Sequence, residues 1–146
     1  MTKRELGENL FKQGYNCAQA VAIAFAEEVK LDKDFIAKSI SGFGGGFGRM
    51  REVCGAVSGM VFILSALEGS VDPTDNNAKM EIYQKVQELM KEFKEQNGTY
   101  ICRELLALPE EHRPPTPEER TEIYYKKRPC ADMCRIAAEI ANKYVK

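Results

Sequence analysis

Apolar residues recur three and four apart along this chain from Thr2 to Tyr144, and no stretch alternates residue by residue as a half-buried strand does. Thr2-Lys3-Arg4-Glu5 has the form of a capping box, in which the first and fourth residues satisfy each other's backbone N–H groups. Leu6, Leu10 and Phe11 then share one face, and Gly14 ends the element. The next helical pattern runs from Asn16 to about Lys30, with Cys17, Val21, Ala24, Phe25 and Glu28 near one stripe. Asp32 or Asp34 caps a short third helix carrying Phe35, Ile36 and Ile40. The glycine loop Gly42-Phe43-Gly44-Gly45-Gly46-Phe47-Gly48 follows, then a helix from Cys54 to Glu68 closed by Gly69.

Asp72-Pro73-Thr74-Asp75 is a strong start signal for the longest helix, whose apolar positions are Ile82, Val86, Leu89 and Phe93. Asn97-Gly98 stops it, and Thr99 to Leu108 gives a short sixth helix. Five of the six prolines lie between Pro109 and Pro129, which predicts a loop around one short helix at Thr116-Pro117-Glu118-Glu119. The last helix runs from Pro129 to about Tyr144, with Cys130, Cys134, Ala137 and Ala141 on one stripe. No repeat and no linker interrupts the pattern. The expectation is an all-α fold: a single-domain bundle of about seven or eight helices over residues 1–146.

A chain of 146 residues is long enough to bury a core without disulfides. Its 21 basic and 22 acidic residues nearly cancel, and no basic stripe interleaved with aromatics stands out, which argues against nucleic acid as a partner. The longest apolar stretch, Val53 to Leu67, is too short to span a bilayer and is broken by Gly55, Ser58 and Gly59, so no direct membrane insertion is expected. The N-terminus leads into an amphipathic segment rather than an apolar signal core, and the protein reads as cytoplasmic. Stable structural disulfides are rare in that compartment.

That changes the meaning of the five cysteines, four of which open a predicted helix. Cys17 follows Asn16, Cys54 starts the run Cys-Gly-Ala-Val-Ser-Gly, Cys102 lies three residues after Thr99, and Cys130 follows Pro129. Helix N-termini carry partial positive charge and unpaired N–H groups, which stabilise a thiolate. Thiolate is the form that attacks disulfides and binds metals. There is no C-x-x-C pair, so any site is assembled by tertiary folding. Small thiols filling tight helix contacts explain the same positions equally well.

Asn16-Cys17-Ala18-Gln19-Ala20-Val21, Gly42-Phe43-Gly44-Gly45-Gly46, Cys54-Gly55-Ala56-Val57-Ser58-Gly59, Cys102, and Cys130 followed by Ala137-Ala138-Glu139-Ile140 make up a further pattern. With these motifs the chain resembles the redox-active protein family designated by its cysteine pattern, C_GCAxxG_C_C, with a CGAxxG motif. The resemblance covers nearly the whole chain. It implies a cytosolic protein with four signature cysteines, here Cys17, Cys54, Cys102 and Cys130. Cys134 does not match the pattern; it lies one turn further into its helix, past the dipole position.

Cys54 is the expected reactive thiol, because it starts a helix and Arg49 and Arg51 stand close in sequence. Its pKa is expected below the free value of about 8.5. Cys130 follows Lys126, Lys127 and Arg128, and Cys102 has Arg103 beside it. Cys17 has no adjacent charge and shares a face with Val21 and Phe25, as a buried ligand or resolving thiol would. Gly55 and Gly59 form a G-x-x-x-G pattern that lets another backbone approach closely. The glycine loop lacks the Lys-Ser/Thr of a phosphate-binding loop, and no strand precedes it. It reads as a tight backbone path that brings Cys54 into place, with Phe43 and Phe47 anchoring it in the core. His112, the one histidine, lies in a polar loop and is expected to be solvated.

Three functions fit. The first is thiol redox chemistry centred on Cys54, with Cys17, Cys102 and Cys130 as partner thiols and an external redox partner. The second is a metal-binding module, with Cys17, Cys54, Cys102 and Cys130 holding a [2Fe–2S] cluster or a zinc ion. The third is a helical interaction protein with buried thiols, dimerising with its own copy through an exposed apolar helix face.

Overall fold

The structure, a computed structural model, describes residues 1–108 and 114–145; His112 and its expected solvation lie outside them. Nine α-helices form among the described residues, against the seven or eight expected: Lys3–Lys12, Cys17–Ile23, Ala26–Val29, Lys33–Ile40, Gly55–Glu68, Asn76–Asn97, Cys102–Leu105, Glu122–Lys127 and Cys130–Asn142. A 3-10 turn spans Ser41–Phe43. Gly44–Phe47 adds one turn of helical hydrogen bonding, but Gly45, Gly46 and Phe47 all have positive φ, so it is a kinked turn rather than a helix. No strand forms among the described residues; one isolated antiparallel bridge joins Val53 to Ile101.

The predicted caps form as local chemistry requires. Thr2 and Glu5 make the reciprocal capping box, Asn16 makes a second with Gln19, and Asp32 accepts from the N–H groups of Asp34 and Phe35. Asp75 caps the long helix and Gly98 ends it in the left-handed region. The predicted second helix breaks at Phe25 (φ −110°, ψ 19°). Lys3 holds the break: its ammonium donates to the Ala24 carbonyl at 2.9 Å and pairs with Glu28 at 2.5 Å. The sixth helix shrinks to Cys102–Leu105, because the Thr99 hydroxyl accepts from the Ile101 N–H in a local turn and Ile101 bridges to Val53. Residues 116–119 stay irregular, because a residue before proline avoids the helical region, as Thr116 before Pro117 does. The short helix of this stretch is Glu122–Lys127, capped by Thr121.

The first helix packs along the last, and the Cys17 helix packs against both the Gly55–Glu68 helix and the Lys33–Ile40 helix. Phe11, Phe25, Ile36, Met60, Ile63, Leu64, Leu89, Phe93 and Ile140 fill the core. Each such side chain contributes about 1.5–3 kcal/mol by leaving water. Phe43 and Phe47 do not join them. They lie on the surface, edge to face with ring centroids 5.0 Å apart, because the left-handed turn points them outward. No helix among the described residues is long and apolar enough to cross a membrane.

Two glycines of the Gly55–Glu68 helix set the closest helix contact. A Cβ on Gly55 would sit 3.2 Å from the Cys17 Cβ, and one on Gly59 would sit 2.8 Å from the Val21 Cβ and 3.0 Å from the Ala18 carbonyl oxygen. Gly59→Ala is therefore expected to destabilise the protein by roughly 1–3 kcal/mol, as overpacking does. Gly42 has open space and an ordinary φ, and Gly42→Ala should stay within about 0.5 kcal/mol of the parent. Urea denaturation of the two variants beside the parent checks this; equal midpoints would remove the close-contact account.

Candidate functional site: four thiols in an arginine-lined cavity

The glycine loop folds back on its own sequel. The N–H groups of Gly48, Arg49, Arg51 and Glu52 donate to the carbonyls of Gly42, Gly44, Gly45 and Gly46, at 2.9, 3.3, 3.1 and 3.0 Å. Segment 51–54 in turn grips segment 100–103. Cys54 N–H donates to Tyr100 O at 2.8 Å, Cys102 N–H to Glu52 O at 2.6 Å, and Arg103 N–H to Arg51 O at 3.1 Å. This path needs positive φ at Gly45, Gly46, Phe47, Gly48, Arg49 and Arg51. In the three non-glycines that conformation costs roughly 1–2 kcal/mol each. Gly46 is also steric: a Cβ there would meet the Cys102 Cβ at 2.8 Å and the Glu52 nitrogen at 2.7 Å. The loop thus places Cys102 as well as Cys54.

The result is one cavity of about 380 Å³ lined by Cys17, Cys54, Cys102 and Cys130. Cys17, Cys102 and Cys130 are the first residues of their helices, and Cys54 is the residue before the first turn of its own. All five cysteines are free thiols. Cys134 does not line the cavity. It is fully buried behind Cys17, with its S–H directed to the Cys17 carbonyl at 3.9 Å.

Burial decides the protonation of these thiols. It pushes Cys54 up to about 12, although the N–H groups of Ala56 and Val57 pull the other way. The expected lowering of Cys54 is thereby reversed, because neither nearby arginine reaches its sulfur. Arg51 instead donates to the Cys102 sulfur at 3.7 Å, and Arg49 donates to the carbonyls of Pro114, at 2.9 Å, and Thr116. Cys102 is also raised by burial, but the hydrogen bond and charge of Arg51 oppose that shift. Arg103, its sequence neighbour, turns to Glu52 at 3.3 Å.

Cys17 and Cys130 form a hydrogen-bonded thiol pair. Cys130 is held well above the usual range by its hydrogen bond to Cys17 and then by burial, against the charge of Arg128 and the Tyr124 hydroxyl. For Cys17 the hydrogen bond from Cys130 lowers the pKa. A hydrogen bond with Cys134, burial and the neighbouring thiols outweigh it and leave Cys17 well above its ordinary value. At neutral pH both carry their protons.

Arg49, Arg51, Arg120 and Arg128 also line the cavity, with Glu118 and Tyr124. Of the basic run before Cys130, Arg128 faces the site, whereas Lys126 and Lys127 are exposed. Arg120, Tyr124 and Glu118 did not stand out in the sequence. Only Tyr124 of the three lies within a helix, Glu122–Lys127, so no helical face in the sequence groups them. Among the described residues, no three His, Cys, Asp or Glu side chains are arranged to hold a metal ion. The four thiols line one cavity, but no three of them are grouped closely enough to hold an ion, so as placed they do not fit a cluster or zinc.

The sequence model of the family described as "Putative redox-active protein (C_GCAxxG_C_C)" matches residues 15–144. The chain belongs to this family. The match takes in every cysteine that lines the cavity, as well as the glycine loop that folds against them. No curated protein and no solved structure matches the chain.

A thiol alkylates only as thiolate, so one with a pKa near 12 reacts tenfold faster per pH unit across the whole range below that value. In reduced protein Cys54 is expected to alkylate slowly at pH 8, with a rate still climbing at pH 10. Cys102 should lead it, and Arg51→Gln should slow Cys102 while leaving Cys54 unchanged. Mass mapping of iodoacetamide adducts against pH checks this. A Cys54 rate that levels off below pH 9 would overturn the burial argument.

Proposed function

We propose that the chain carries out thiol–disulfide redox chemistry in this cavity, as a single helical domain working in the cytoplasm. The observation that carries the reading is the convergence of four cysteines, far apart in sequence, on one cavity. The family description and the guanidinium at Cys102 support it further. Cys102 is the attacking thiol, because among the described residues it alone has a cation hydrogen-bonded to its sulfur. Cys130 is the resolving thiol. It lines the same cavity as Cys102 and is hydrogen-bonded to Cys17.

The steps balance as an exchange. Cys102 thiolate attacks one sulfur of an external disulfide R–S–S–R, forming a mixed disulfide and expelling R–S⁻, which takes up a proton. Cys130 then loses its proton and attacks the Cys102 sulfur, expelling the second R–S⁻. One substrate disulfide is reduced to two thiols, and two protein thiols are oxidised to Cys102–Cys130. Exchange with Cys17 can pass that bond to Cys17–Cys130. Cys54 has no cation on its sulfur and no thiol hydrogen-bond partner among the described residues, and serves as the packed start of its helix.

The test is the disulfide map of protein treated with a small excess of a symmetric disulfide. A single internal disulfide containing Cys130, with two equivalents of small thiol released, is the expected result. Cys102→Ser should abolish the reaction, and Cys130→Ser should trap the mixed disulfide on Cys102. Cys134→Ala should leave the stoichiometry intact, because its side chain stands outside the cavity, and should cost about 1 kcal/mol of packing. A disulfide between Cys17 and Cys134 in the treated protein would overturn this assignment. Stoichiometric iron or zinc in protein isolated without oxygen would favour the cluster reading instead.

A further inference from the structure

The cavity has a charge pattern that disulfide exchange by itself does not require. Four arginines line it, and Glu118 is the carboxylate among the described lining residues. Glu118 pairs with Arg128 at 2.9 Å. Arg120 is a structural brace: it donates to the carbonyls of Phe11 and, at 2.8 Å, Tyr15, and its guanidinium lies 4.0 Å over the Phe11 ring. Arg49 and Arg51 are different. Arg49 bonds two neutral carbonyls and is itself partly buried; Glu118, which is hydrogen-bonded to Arg128, offsets its charge only in part. Arg51 has the Cys102 sulfur as its hydrogen-bond partner and no direct ion pair among the described residues; Glu118 lies within electrostatic reach but is bonded to Arg128. Their charges repel at this range; Arg51 stands next to burial among the causes that hold Arg49 below its ordinary basicity.

Both arginines also occupy left-handed backbone, at φ 67° and 63°, in a loop whose N–H groups from Gly48 to Glu52 all donate back to carbonyls of residues 42–47. Two like charges held together by a strained, fixed backbone have one economical complement, which is a small anion between them. The cavity volume suits a small molecule and excludes a folded protein. The guanidinium of Arg51 also touches the attacking sulfur, so an anion on Arg49 and Arg51 lies beside Cys102.

We infer that the substrate of this site is a small disulfide bearing carboxylate groups, held by Arg49 and Arg51 with its S–S bond against Cys102. The inference rests on the thiol-redox reading and specifies its substrate class. Arg49 binds and positions the carboxylate. Arg51 does so too, and it also stabilises the Cys102 thiolate before attack and the departing thiolate after it. The exchange is the one balanced above, with R carrying the carboxylate.

The test uses three symmetric disulfides of similar length: 3,3′-dithiodipropionate (anionic), bis(2-hydroxyethyl) disulfide (neutral) and cystamine (cationic). Each rate with the reduced protein is divided by its rate with a free small thiol. The expected order is anionic, neutral, cationic, with about tenfold or more between the first two at low ionic strength and a smaller ratio at high salt. Arg49→Gln should erase most of the anionic preference, bringing the anionic rate down toward the neutral one, because Arg49 carries charge for the carboxylate and does not touch the sulfur. Arg51→Gln should lower all three rates and the preference together. Arg49→Lys should keep part of the preference, which separates lost charge from a disturbed loop. Equal normalised rates for the three disulfides would overturn the anionic substrate and leave thiol exchange standing. No reaction with any of them would overturn the exchange reading itself.

Discussion

The site depends on one backbone constraint: how closely chain can pass chain where side chains are missing. Gly55 and Gly59 let the helix of residues 55–68 settle against the Cys17 helix, with room for neither to carry a methyl group on that seam. Gly46 lets the loop lie on the Cys102 Cβ. The ladder from 51–54 to 100–103 then fixes Cys54 and Cys102 relative to each other, although no regular strand forms. Four helix starts reach one cavity because three glycines remove the atoms that would hold them apart. The left-handed arginines follow from the same path. The chain leaves a glycine-rich turn and has to reverse twice within a few residues before it can pair with Tyr100 and Cys102.

Within that frame, desolvation and charge compete for each thiol, and the winner differs from one to the next. Cys54 has two backbone N–H groups and no cation, and burial wins decisively. Cys102 has a guanidinium, and burial wins by less. A helix N-terminus contributes about 0.3–1 kcal/mol at a surface, which is worth well under one pKa unit. Burial of a thiolate costs several times that. Helix position alone therefore does not make a reactive cysteine; a charged side chain placed on the sulfur is what separates Cys102 from the rest.

Much of the fold could be read from the sequence because its signals are local. The capping boxes at Thr2 and Asn16, the Asp75 cap and the Gly98 stop each depend on residues within one turn. So does the G-x-x-x-G seam, which proved to face Cys17 and Val21. Cys17, Cys54, Cys102 and Cys130, which the sequence grouped as a pattern, line one cavity, and Cys134 is packed behind Cys17 and hydrogen-bonded to it. The charge assignments were not legible. Proximity in sequence gave Arg51 to Cys54 and Arg103 to Cys102, whereas folding sends Arg51 to a sulfur 51 residues away and turns Arg103 to Glu52. A positive φ at Arg51 redirects its side chain, and no local pattern announces that. Phe43 and Phe47 were misread for the same reason: a loop that reverses in the left-handed region presents its aromatics to solvent.

A cavity whose thiols rest protonated has a chemical consequence. Thiols at ordinary pKa values are partly ionised at neutral pH and open to adventitious oxidation. Here burial raises every cavity thiol, and Cys17 and Cys130 are hydrogen-bonded to each other. An anionic ligand in this cavity acts in two opposing ways. Its charge partly screens Arg51 and so weakens the support for the Cys102 thiolate. Its binding also excludes water from the sulfur and presents an electrophile along the line of attack. Reaction then requires that the ligand place its carboxylate nearer Arg49 than Arg51, leaving the second guanidinium to Cys102. The two arginines divide the work because only one of them touches sulfur: Arg49 can be fully neutralised by the ligand while Arg51 keeps the thiolate. A lone arginine in the same place would have to do both, and binding substrate would then quench the nucleophile it was meant to serve.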